Sequence, residues 1–546
     1  MKSLFSLNSA ICVLLCLIGL RYAVWYTDNP DSIQYIVISS HYLHGDFPAA
    51  LNGYWSPLIS WLLIPFQLIF SDGIIAFKIL QIVIAVLTVL LWEKLVQQIL
   101  PQIRLKKLFA FFGVIFVVPA AILNLTPDLL FVLVLFALLN HFIQMFGDGD
   151  RLLALTNREL IITGLLGGLL YLTKAFGLPL FLIVFSFVVF RKKRFFNLKR
   201  VFVVMGIFIL ISGSWIAAIS SKYNHFTISE AARFNMTKEV APLSGQMVEL
   251  PGLGVGLSDP PISEQSVSSW ENPGANFQLT SLSPVSDSNY YYGLIKRNLL
   301  SIYYTDFRRQ IGIVFLLLLI FFFVQRKKGQ SEISFAHGLV LSVVLFTYLG
   351  YSLILVHERY TWSCMLLMFL MSAFFLTQLD KKVFPSNMIL ALSLVFFLFS
   401  AKRPVKQMLF SNDTERSFDL LWKAVRSPLE MMEATYGIDN DLKTSLDQLK
   451  SKIPAGSKMA SIKYTGPYRD SYSSAQFIAY ELHAKYYGQV LAADDSVLKE
   501  KKIQYLLTLS PYQPSTDSSK IVGEVGRGGA YIIQYYINTL ANQLIS

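Results

Sequence analysis

The segment LFAFFGVIFVVPAAI at residues 108–122 is followed, after a short turn, by LLFVLVLFALLNHFIQMF at residues 129–146, and neither contains Asp, Glu, Lys or Arg. Apolar runs of about 20 residues match the thickness of the hydrocarbon core of a bilayer. Similar runs recur throughout the 546-residue chain, of which 54% is hydrophobic and 15% charged. A soluble domain of this length has a more polar composition, so the sequence predicts a polytopic α-helical membrane protein.

Eleven segments have the composition of membrane helices. Segment 57–70 is also apolar, but it begins with Pro57 and contains Pro65, so it is interpreted as an interfacial or re-entrant helix. The first segment is interpreted as a retained helix rather than a secretory signal, because no convincing cleavage site follows it. The predicted spans are residues 8–26, 73–93, 108–122, 129–146, 160–175, 177–190, 201–220, 310–324, 335–356, 361–379 and 385–400.

The net charge of +12 comes mostly from short basic blocks between the apolar segments, so it gives no reason to expect a nucleic-acid partner. Loops rich in Lys and Arg face the cytoplasm. If the N-terminus is cytoplasmic and segment 57–70 does not span, all of these blocks lie on the cytoplasmic side. The blocks are Arg104 with Lys106 and Lys107, residues 191–194 with Lys199 and Arg200, residues 326–328, and Lys381 with Lys382.

The same orientation puts the remaining polar segments on the extracytoplasmic face. Loop 27–72 is acidic and has no Lys or Arg. Loop 221–305 is rich in Gly, Pro and Ser and is predicted to be irregular or mobile, ending in an interfacial amphipathic helix at residues 290–309. Residues 1–404 form the predicted membrane domain, and residues 405–546 a small extracytoplasmic α/β domain. Its predicted helices are 415–435 and 440–452, and its predicted strands are 458–462, 503–509 and 531–536.

Three acidic residues on this face are candidates for chemistry. Asp28 and Asp31 directly follow the first predicted helix, where a carboxylate at the edge of the apolar phase can take a proton from an acceptor hydroxyl. A solvated acidic loop is the alternative explanation. Asp128 begins a predicted span after Thr126 and Pro127, so it is either part of a helix cap or part of a site.

Several cations are predicted on the extracytoplasmic face, where positive charge is not favoured. Lys174 lies at the end of predicted span 160–175, next to the start of span 177–190. Arg359 precedes another span, and Arg308 and Arg309 precede a third. Two explanations are open for each of them: an ion pair with a neighbouring carboxylate, or contact with an anionic lipid phosphate.

No motif in the chain indicates a nucleotide or a structural metal. The glycines at residues 251–256 neither follow a predicted strand nor open a helix, so they are a poor match for a nucleotide fingerprint. His41 and His44 can share a helix face, but no third ligand at a metal-like spacing is nearby. The three cysteines lie inside apolar segments and indicate neither a disulfide framework nor a CxxC metal site.

Together these features resemble the GT-C superfamily, specifically the bacterial transferases similar to the protein O-mannosyltransferases and the aminoarabinose transferase of lipid A. The resemblance covers residues 8–380 and rests on short motifs that occur in the order of the family. After the first helix come Asp31-x-x-x-Tyr35, Gly45 and Tyr54-Trp55-Ser56-Pro57-Leu58, and later come Pro127-Asp128-Leu129, Leu172-Thr173-Lys174 and Glu358-Arg359-Tyr360.

The resemblance implies a GT-C fold and an inverting glycosyltransferase of the bacterial inner membrane. Its donor is implied to be a dolichyl- or undecaprenyl-phosphate sugar, and its acceptor a hydroxyl of a lipid, glycan or protein. Asp31, or alternatively Asp28, is implied as the general base. The implied residues for the donor phosphate are Lys174, Arg359, Arg308 and Arg309, and the implied supporting residues are Tyr35, Asp128, Glu358 and Tyr360.

Two departures from the family pattern limit what the resemblance assigns. Relatives often carry Asp-Glu where this chain has Asp31-Ser32, and a Lys where it has Ser56, so no metal or phosphate role is assigned at those points. The chemistry needs no nucleotide site, no cofactor is assigned, and a divalent metal is an open alternative. A polysaccharide ligase or polymerase of the same fold and a lipid or sugar transporter or flippase are the rival readings. The transporter is disfavoured because there are no paired, Gly-interrupted spans in two halves.

Overall fold

The computed structural model describes residues 6–534 apart from a set of gaps. Some features of the sequence interpretation lie outside the described residues: the helix at 415–435, Asp28, Arg309, Lys381 with Lys382, residues 327–328 and residues 251–254. The gaps are residues 24–28, 102, 147–154, 241–254, 274–286, 309–311, 327–333, 379–385, 410–437, 464–470, 492–495, 509–520 and 526–529.

A helix is present at each of the eleven predicted spans. Among the described residues, six helices are long and apolar enough to cross a bilayer, judged by length and composition: Gly73–Ile99, Leu105–Leu123, Asp128–Phe146, Leu198–Tyr223, Phe335–Ser352 and Glu358–Thr377. In chain order, helices α1 to α16 are Leu7–Ala23, Pro30–Leu43, Phe47–Ala50, Leu58–Ile69, Gly73–Ile99, Ile103–Leu123, Asp128–Phe146, Asn157–Thr173, Gly177–Arg191, Leu198–Tyr223, Glu230–Val240, Ser288–Ile302, Gly312–Arg326, Phe335–Ser352, Trp362–Thr377 and Ser386–Leu409.

Helix α15 is the centre of the bundle. It is apolar on all sides, as expected for a helix that is surrounded by others, and every residue from Trp362 to Thr377 is buried. Phe369 stacks on Phe112 of α6 with ring centroids 3.6 Å apart. Because α15 is fixed along its whole length, the turn that precedes it is held at a defined position.

The first loop folds as three short helices, α2 to α4. Asn29 caps α2 by accepting the N–H of Asp31 at 3.0 Å, and Pro30 takes an early helical position, where its missing N–H is not needed. Helix α4 has 12 residues and is therefore about 18 Å long. The bilayer core is about 30 Å thick, so the length of α4 agrees with an interfacial or re-entrant helix at residues 57–70.

Helices α8 and α10 approach each other closely because glycines of α8 face α10. A Cβ atom at Gly164 would lie 2.7 Å from the backbone oxygen of Val204, and one at Gly168 would lie 2.7 Å from Cβ of Ile211. Small residues four positions apart let two membrane helices meet along their backbones. Helix α10 depends on this contact, since only 22% of its most apolar stretch is buried inside the protein.

We expect Gly164→Ala to destabilise the folded protein, because the new methyl group would overlap the Val204 carbonyl. Overpacking of this kind costs about 1–3 kcal/mol. Gly206→Ala, in α10, is the matched control, since nothing lies within 4 Å of a Cβ atom there. Denaturant unfolding in detergent micelles measures both variants, and equal stability would contradict the close contact between the two helices.

The alternating direction of the helices brings one set of helix ends to a common face. Helix α7 begins at Asp128, α8 ends just before Lys174, and the turn with Arg359 leads into α15. The opposite ends carry basic blocks, because α9 ends at Arg191 and Arg200 lies in the first turn of α10. This separation is the one expected if the basic ends are cytoplasmic, and the orientation itself stays a prediction.

The described C-terminal residues contribute five strands to a six-stranded sheet of order β1-β3-β2-β4-β6-β5. Strand β2 is parallel to both of its neighbours, and the other pairings are antiparallel. Strands are present at each of the predicted positions, and so is a helix at 440–452. Strands β1 to β6 are Gly256–Leu257, Lys458–Ile462, Lys485–Val490, Tyr505–Thr508, Ile521–Val525 and Ala530–Gln534, and helices α17 to α19 are Ile438–Lys450, Ser471–Glu481 and Ser496–Glu500.

One strand of this sheet comes from the long loop at residues 221–305. Strand β1 pairs with β3, and a 3-10 turn, Ser269–Glu271, follows it. The prediction of an irregular loop is wrong for Glu230–Val240, which forms helix α11, whereas residues 255–273 have little regular structure beyond this strand and turn. A two-residue strand has no local periodicity, and its partner lies far along the chain, so sequence pattern could not reveal it. Helix α12 and the following π-helical turn Tyr303–Arg308 agree with the helix predicted at residues 290–309.

Helix α18 docks the sheet on the first loop and on the start of α5. Gln476 of α18 lies 3.3 Å from the side-chain nitrogen of Gln34 in α2. A Cβ atom at Gly73 would be 2.6 Å from the hydroxyl oxygen of Tyr480, so this contact requires glycine. Glu481 is 3.4 Å from the ammonium of Lys450.

The docking contact is expected to weaken as pH rises. Burial, together with the charge of Asp72, raises the pKa of Glu481 from 4.5 to about 7. The pKa of Glu481 is higher in the folded protein than in the unfolded chain. The contribution of its protonated form to folding stability is therefore complete below about pH 4.5 and is lost as pH rises through about 7. Glu481→Gln should reduce this decrease in the free energy of unfolding, which is on the order of 1–3 kcal/mol.

Unfolding in detergent at several pH values between about 5 and about 7.5 measures this effect. Glu500→Gln, which neutralises an exposed carboxylate of α19, is the control and should keep the slope of the unmodified protein. An unchanged slope in Glu481→Gln would contradict a titrating carboxyl at the docking contact.

Candidate active site

Four charged side chains that are far apart in the sequence meet at one end of the helix bundle. Asp31 lies in the first turn of α2, and Asp128 is the first residue of α7. Lys174 follows the last residue of α8, and Arg359 lies in the 3-10 turn Glu358–Thr361 that leads into α15. All four are at helix ends, where a charged group can leave the apolar core while its backbone stays fixed.

Arg359 joins the two carboxylates of this cluster. Its Nη2 atom donates a hydrogen bond to Oδ2 of Asp31, and its Nε lies 3.5 Å from Oδ2 of Asp128. The Arg359 side chain is 20% exposed and that of Asp31 15%, whereas Asp128 is 3% exposed. Asp31 and Arg359 therefore form the accessible side of the cluster, and Asp128 forms its buried floor.

Lys174 completes the cluster from the other side. Its ammonium donates to Oδ1 of Asp128 and lies 3.6 Å from the ring centroid of Tyr360. The Asp128 carboxylate is the oppositely charged partner of this ammonium. Thr126 donates to Asp128 Oδ2 at 2.6 Å, so both oxygens of this carboxylate have partners.

The cluster pairs two cations with two carboxylates, and its formal charge is close to zero. Partly buried charges are tolerated when each has an oppositely charged partner. Both cations are also partly exposed, with 20% for Arg359 and 17% for Lys174. Each is therefore accessible to an incoming anion, and the two explanations left open by the sequence are compatible.

The second oxygen of Asp31 is bound by a residue that the sequence interpretation missed. The indole nitrogen of Trp270 donates to Asp31 Oδ1 at 3.2 Å. Trp270 follows β1 in the long loop and packs against Tyr54, Trp55 and Phe234, with ring centroids 5.4–5.7 Å away. The one local signal is the capping box formed by Ser268 and Glu271 around it, which marks an ordered turn.

The other predicted site residues lie near the cluster but differ in their contacts. Tyr35 is buried and packs edge-on to Trp55, with centroids 5.1 Å apart. Glu358 lies beside Arg359 in the same turn. Arg308 is exposed, places its guanidinium 5.6 Å from the ring of Tyr304, and has no ion pair with any described residue.

The carboxylates of the cluster do not fit a divalent metal. Asp31 and Asp128 each have both oxygens engaged by donors of the protein itself. His41 is buried between Glu271, at 3.3 Å, and Asp46, at 3.5 Å, so both of its ring nitrogens already face side chains of the protein. Within the described ranges, no group of three or more His, Cys, Asp or Glu side chains is placed to hold a metal ion.

The fold is similar to that of ArnT from Cupriavidus metallidurans. The apo structure of that protein aligns with a TM-score of 0.54 and 11% sequence identity over 97% of each chain. Its structure bound to undecaprenyl phosphate aligns with a TM-score of 0.51 and 10% identity, covering 97% of this chain and 98% of that one. An oligosaccharyltransferase of Archaeoglobus fulgidus aligns with a TM-score of 0.48 and 14% identity, covering 91% of this chain and 67% of that one.

No protein-family model and no curated protein matches the sequence. The similarity to ArnT extends over nearly the whole of both chains. The fold expected from the sequence motifs is therefore confirmed as one similar to that of ArnT.

Proposed function

We propose that the protein is an integral membrane glycosyltransferase that moves a sugar from a polyprenyl-phosphate carrier to an acceptor hydroxyl on the extracytoplasmic face. The observation that carries this proposal is the cluster in which Arg359 contacts Asp31 and Asp128 beside Lys174. A carboxylate base next to two cations is what such a transfer needs. The fold of ArnT, which has been solved with undecaprenyl phosphate, supports the same class of donor.

The donor phosphate binds to Arg359 and Lys174. A guanidinium offers a planar pair of donors that matches phosphate oxygens, and an ammonium acts as a compact charge beside it. Tyr360 lies under the ammonium of Lys174 and keeps that side chain at the rim of the cluster. The polyprenyl chain stays in the bilayer, because the cluster lies where the helices end.

Asp31 is the general base. It takes the proton of the acceptor hydroxyl, whose oxygen forms a bond to the anomeric carbon of the sugar. The bond from that carbon to the phosphate oxygen breaks, and its electron pair leaves with the polyprenyl phosphate. Attack from the side opposite the phosphate inverts the anomeric configuration. The cations stabilise the charge that develops on the phosphate.

Binding of the donor also prepares the base. Without donor, Arg359 occupies Oδ2 of Asp31, which is the lone-pair position that the proton must enter. When Arg359 turns to the phosphate, this oxygen becomes available to the acceptor. Asp128 retains Lys174 and Thr126 throughout, so the floor of the site does not lose its partners.

Purified protein in proteoliposomes, supplied with polyprenyl-phosphate sugars, tests the proposal. The expected products are polyprenyl phosphate and a glycosylated acceptor, in equal amounts and in the inverted configuration. Movement of the intact lipid-linked sugar across the bilayer without bond cleavage would replace the proposal with a flippase. Mass analysis of surface glycans from a deletion strain identifies the acceptor and separates transfer of one sugar from polymer ligation.

A further inference from the structure

The indole of Trp270 contacts Asp31 at the oxygen that Arg359 leaves free. Trp270 donates to Oδ1, while Arg359 donates to Oδ2. When Arg359 turns to a bound phosphate, the Trp270 bond is the contact that still fixes the plane of the carboxylate. The orientation of that plane decides whether a lone pair points at the acceptor.

The ring of Trp270 has little freedom to move. It is 7% exposed and is enclosed by Tyr54, Trp55 and Phe234. The indole nitrogen of Trp55 also donates to the Trp270 carbonyl at 3.1 Å. Aromatic rings in edge-to-face contact favour one mutual geometry, so the N–H of Trp270 keeps its direction.

The loop segment that carries Trp270 is part of the C-terminal sheet. Gly256 pairs with Gln489 of β3, and the Tyr486 N–H donates to the Val267 carbonyl at 2.7 Å. Lys485 reaches the Ser263 carbonyl at 2.8 Å. The sheet therefore holds this segment on both sides of residue 263, up to three positions before Trp270.

One buried side chain of α18, the helix that packs on the sheet, reaches the turn itself. Gln476 of α18 donates to the hydroxyl of Ser268 at 2.7 Å, and Gln34 of α2 lies 3.5 Å from the same hydroxyl. Gln476 and Ser268 are both fully buried. This contact links the C-terminal unit, the loop turn and the helix of Asp31 at one point.

We infer that Trp270 is a positioning residue for the Asp31 carboxylate and that the C-terminal sheet acts on the reaction by holding the Trp270 turn through Gln476. The inference rests on the proposed function, because it assigns a role relative to the base. Trp270 acts on the orientation of Asp31 and not on the binding of the donor, so its loss lowers kcat and leaves the donor KM unchanged.

The test compares two substitutions in the full-length protein in proteoliposomes. Trp270→Phe keeps a large ring in the aromatic cluster but removes the N–H. A misplaced catalytic group costs about 100-fold in rate, so kcat is expected to fall about 10- to 100-fold with the donor KM unchanged. Gln476→Met removes the bond to Ser268 and should lower kcat about 3- to 10-fold.

A double-mutant cycle separates this role from loss of stability. If Gln476 acts through Trp270, the double variant loses no more kcat than Trp270→Phe alone. Gln504→Met, which removes a contact to the Lys458 N–H elsewhere in the sheet, is the matched control and should keep full kcat. Unfolding temperatures report general destabilisation. The decreases in unfolding temperature of the two single variants should add in the double variant, whereas their losses of kcat should not.

Three results would overturn the inference: unchanged kcat in Trp270→Phe, a rise in donor KM without a fall in kcat, or additive kcat losses in the double variant. Absence of transfer by the unmodified protein is a different outcome, because it rejects the proposed function itself. The same set of assays thus distinguishes the two failures.

Discussion

Replacement of Asp31 by asparagine is expected to abolish sugar transfer, with a fall in kcat of about 10²–10⁴-fold. Asparagine has the same shape but cannot take the proton of the acceptor. The fold should survive, because Arg359 retains Asp128 at 3.5 Å. The measurement is product formation in proteoliposomes at equal amounts of inserted protein.

Two further variants give this result its meaning. Asp46→Asn removes another carboxylate of the first loop, one whose contacts are with His41 and Ala49, and it should retain transfer. Asp28→Asn addresses the alternative base that the sequence left open. Retained transfer in Asp31→Asn would reject Asp31 as the base, and loss in Asp28→Asn at the same time would assign the role to Asp28.

The second large effect is expected for Arg359→Ala. The substitution removes donors to both carboxylates and, in the proposed mechanism, the main contact to the donor phosphate. A hydrogen bond between charged groups contributes about 1.5–3 kcal/mol, so the KM for the lipid donor should rise at least about 10-fold and by about 100-fold if two such bonds are lost. Initial rates at varied donor concentration measure this change.

Arg359→Lys and Lys174→Ala complete the comparison. Lysine keeps the charge but loses the planar pair of donors, so Arg359→Lys should recover part of the donor affinity. Lys174→Ala should weaken donor binding less than Arg359→Ala does, because Arg359 contacts both carboxylates. A normal donor KM in both alanine variants would mean that the phosphate binds elsewhere, with Arg308 as one alternative among the described cations.

The membrane architecture follows from composition to a large extent. In a bilayer, the backbone N–H and C=O groups of a long apolar run must form their hydrogen bonds within the protein. A helix forms these bonds within the run itself, and a helix lies at each predicted span. Among the described residues, Arg191 and Arg200 lie at helix ends opposite to the candidate site, as expected if positive loops share one side. The same parity argument put Asp31, Asp128, Lys174 and Arg359 on one face before any distance was known.

The contacts within the site could not be predicted in the same way. Parity gives a common face but does not say that Arg359 bridges Asp31 and Asp128, because this depends on how α2, α7 and α15 pack. Packing in turn depends on the sizes of the side chains that face each other, as at Gly164, where the absence of a side chain lets α10 approach. Composition does not reveal such contacts. The motif order pointed to the right helix ends, and the packing brought them into contact.

Trp270 was missed for a different reason. It lies in a segment whose Gly, Pro and Ser content predicts irregular structure, and its order comes from a strand pairing with a distant part of the chain. Only its capping-box residues, Ser268 and Glu271, are visible locally. Such a signal indicates a turn but gives no information about which side chain the turn presents to the site.

The pairing of β1 with β3 has a consequence for biosynthesis. Helices α12 to α18 are all translated between the two partner strands, so the ribosome delivers the membrane bundle and its four charged residues first. Until β3 emerges, no partner exists for the segment before Trp270, and Asp31 lacks its indole anchor. In the proposed mechanism, a nascent chain already embedded among donor lipids therefore works below its full rate until β3 has been made.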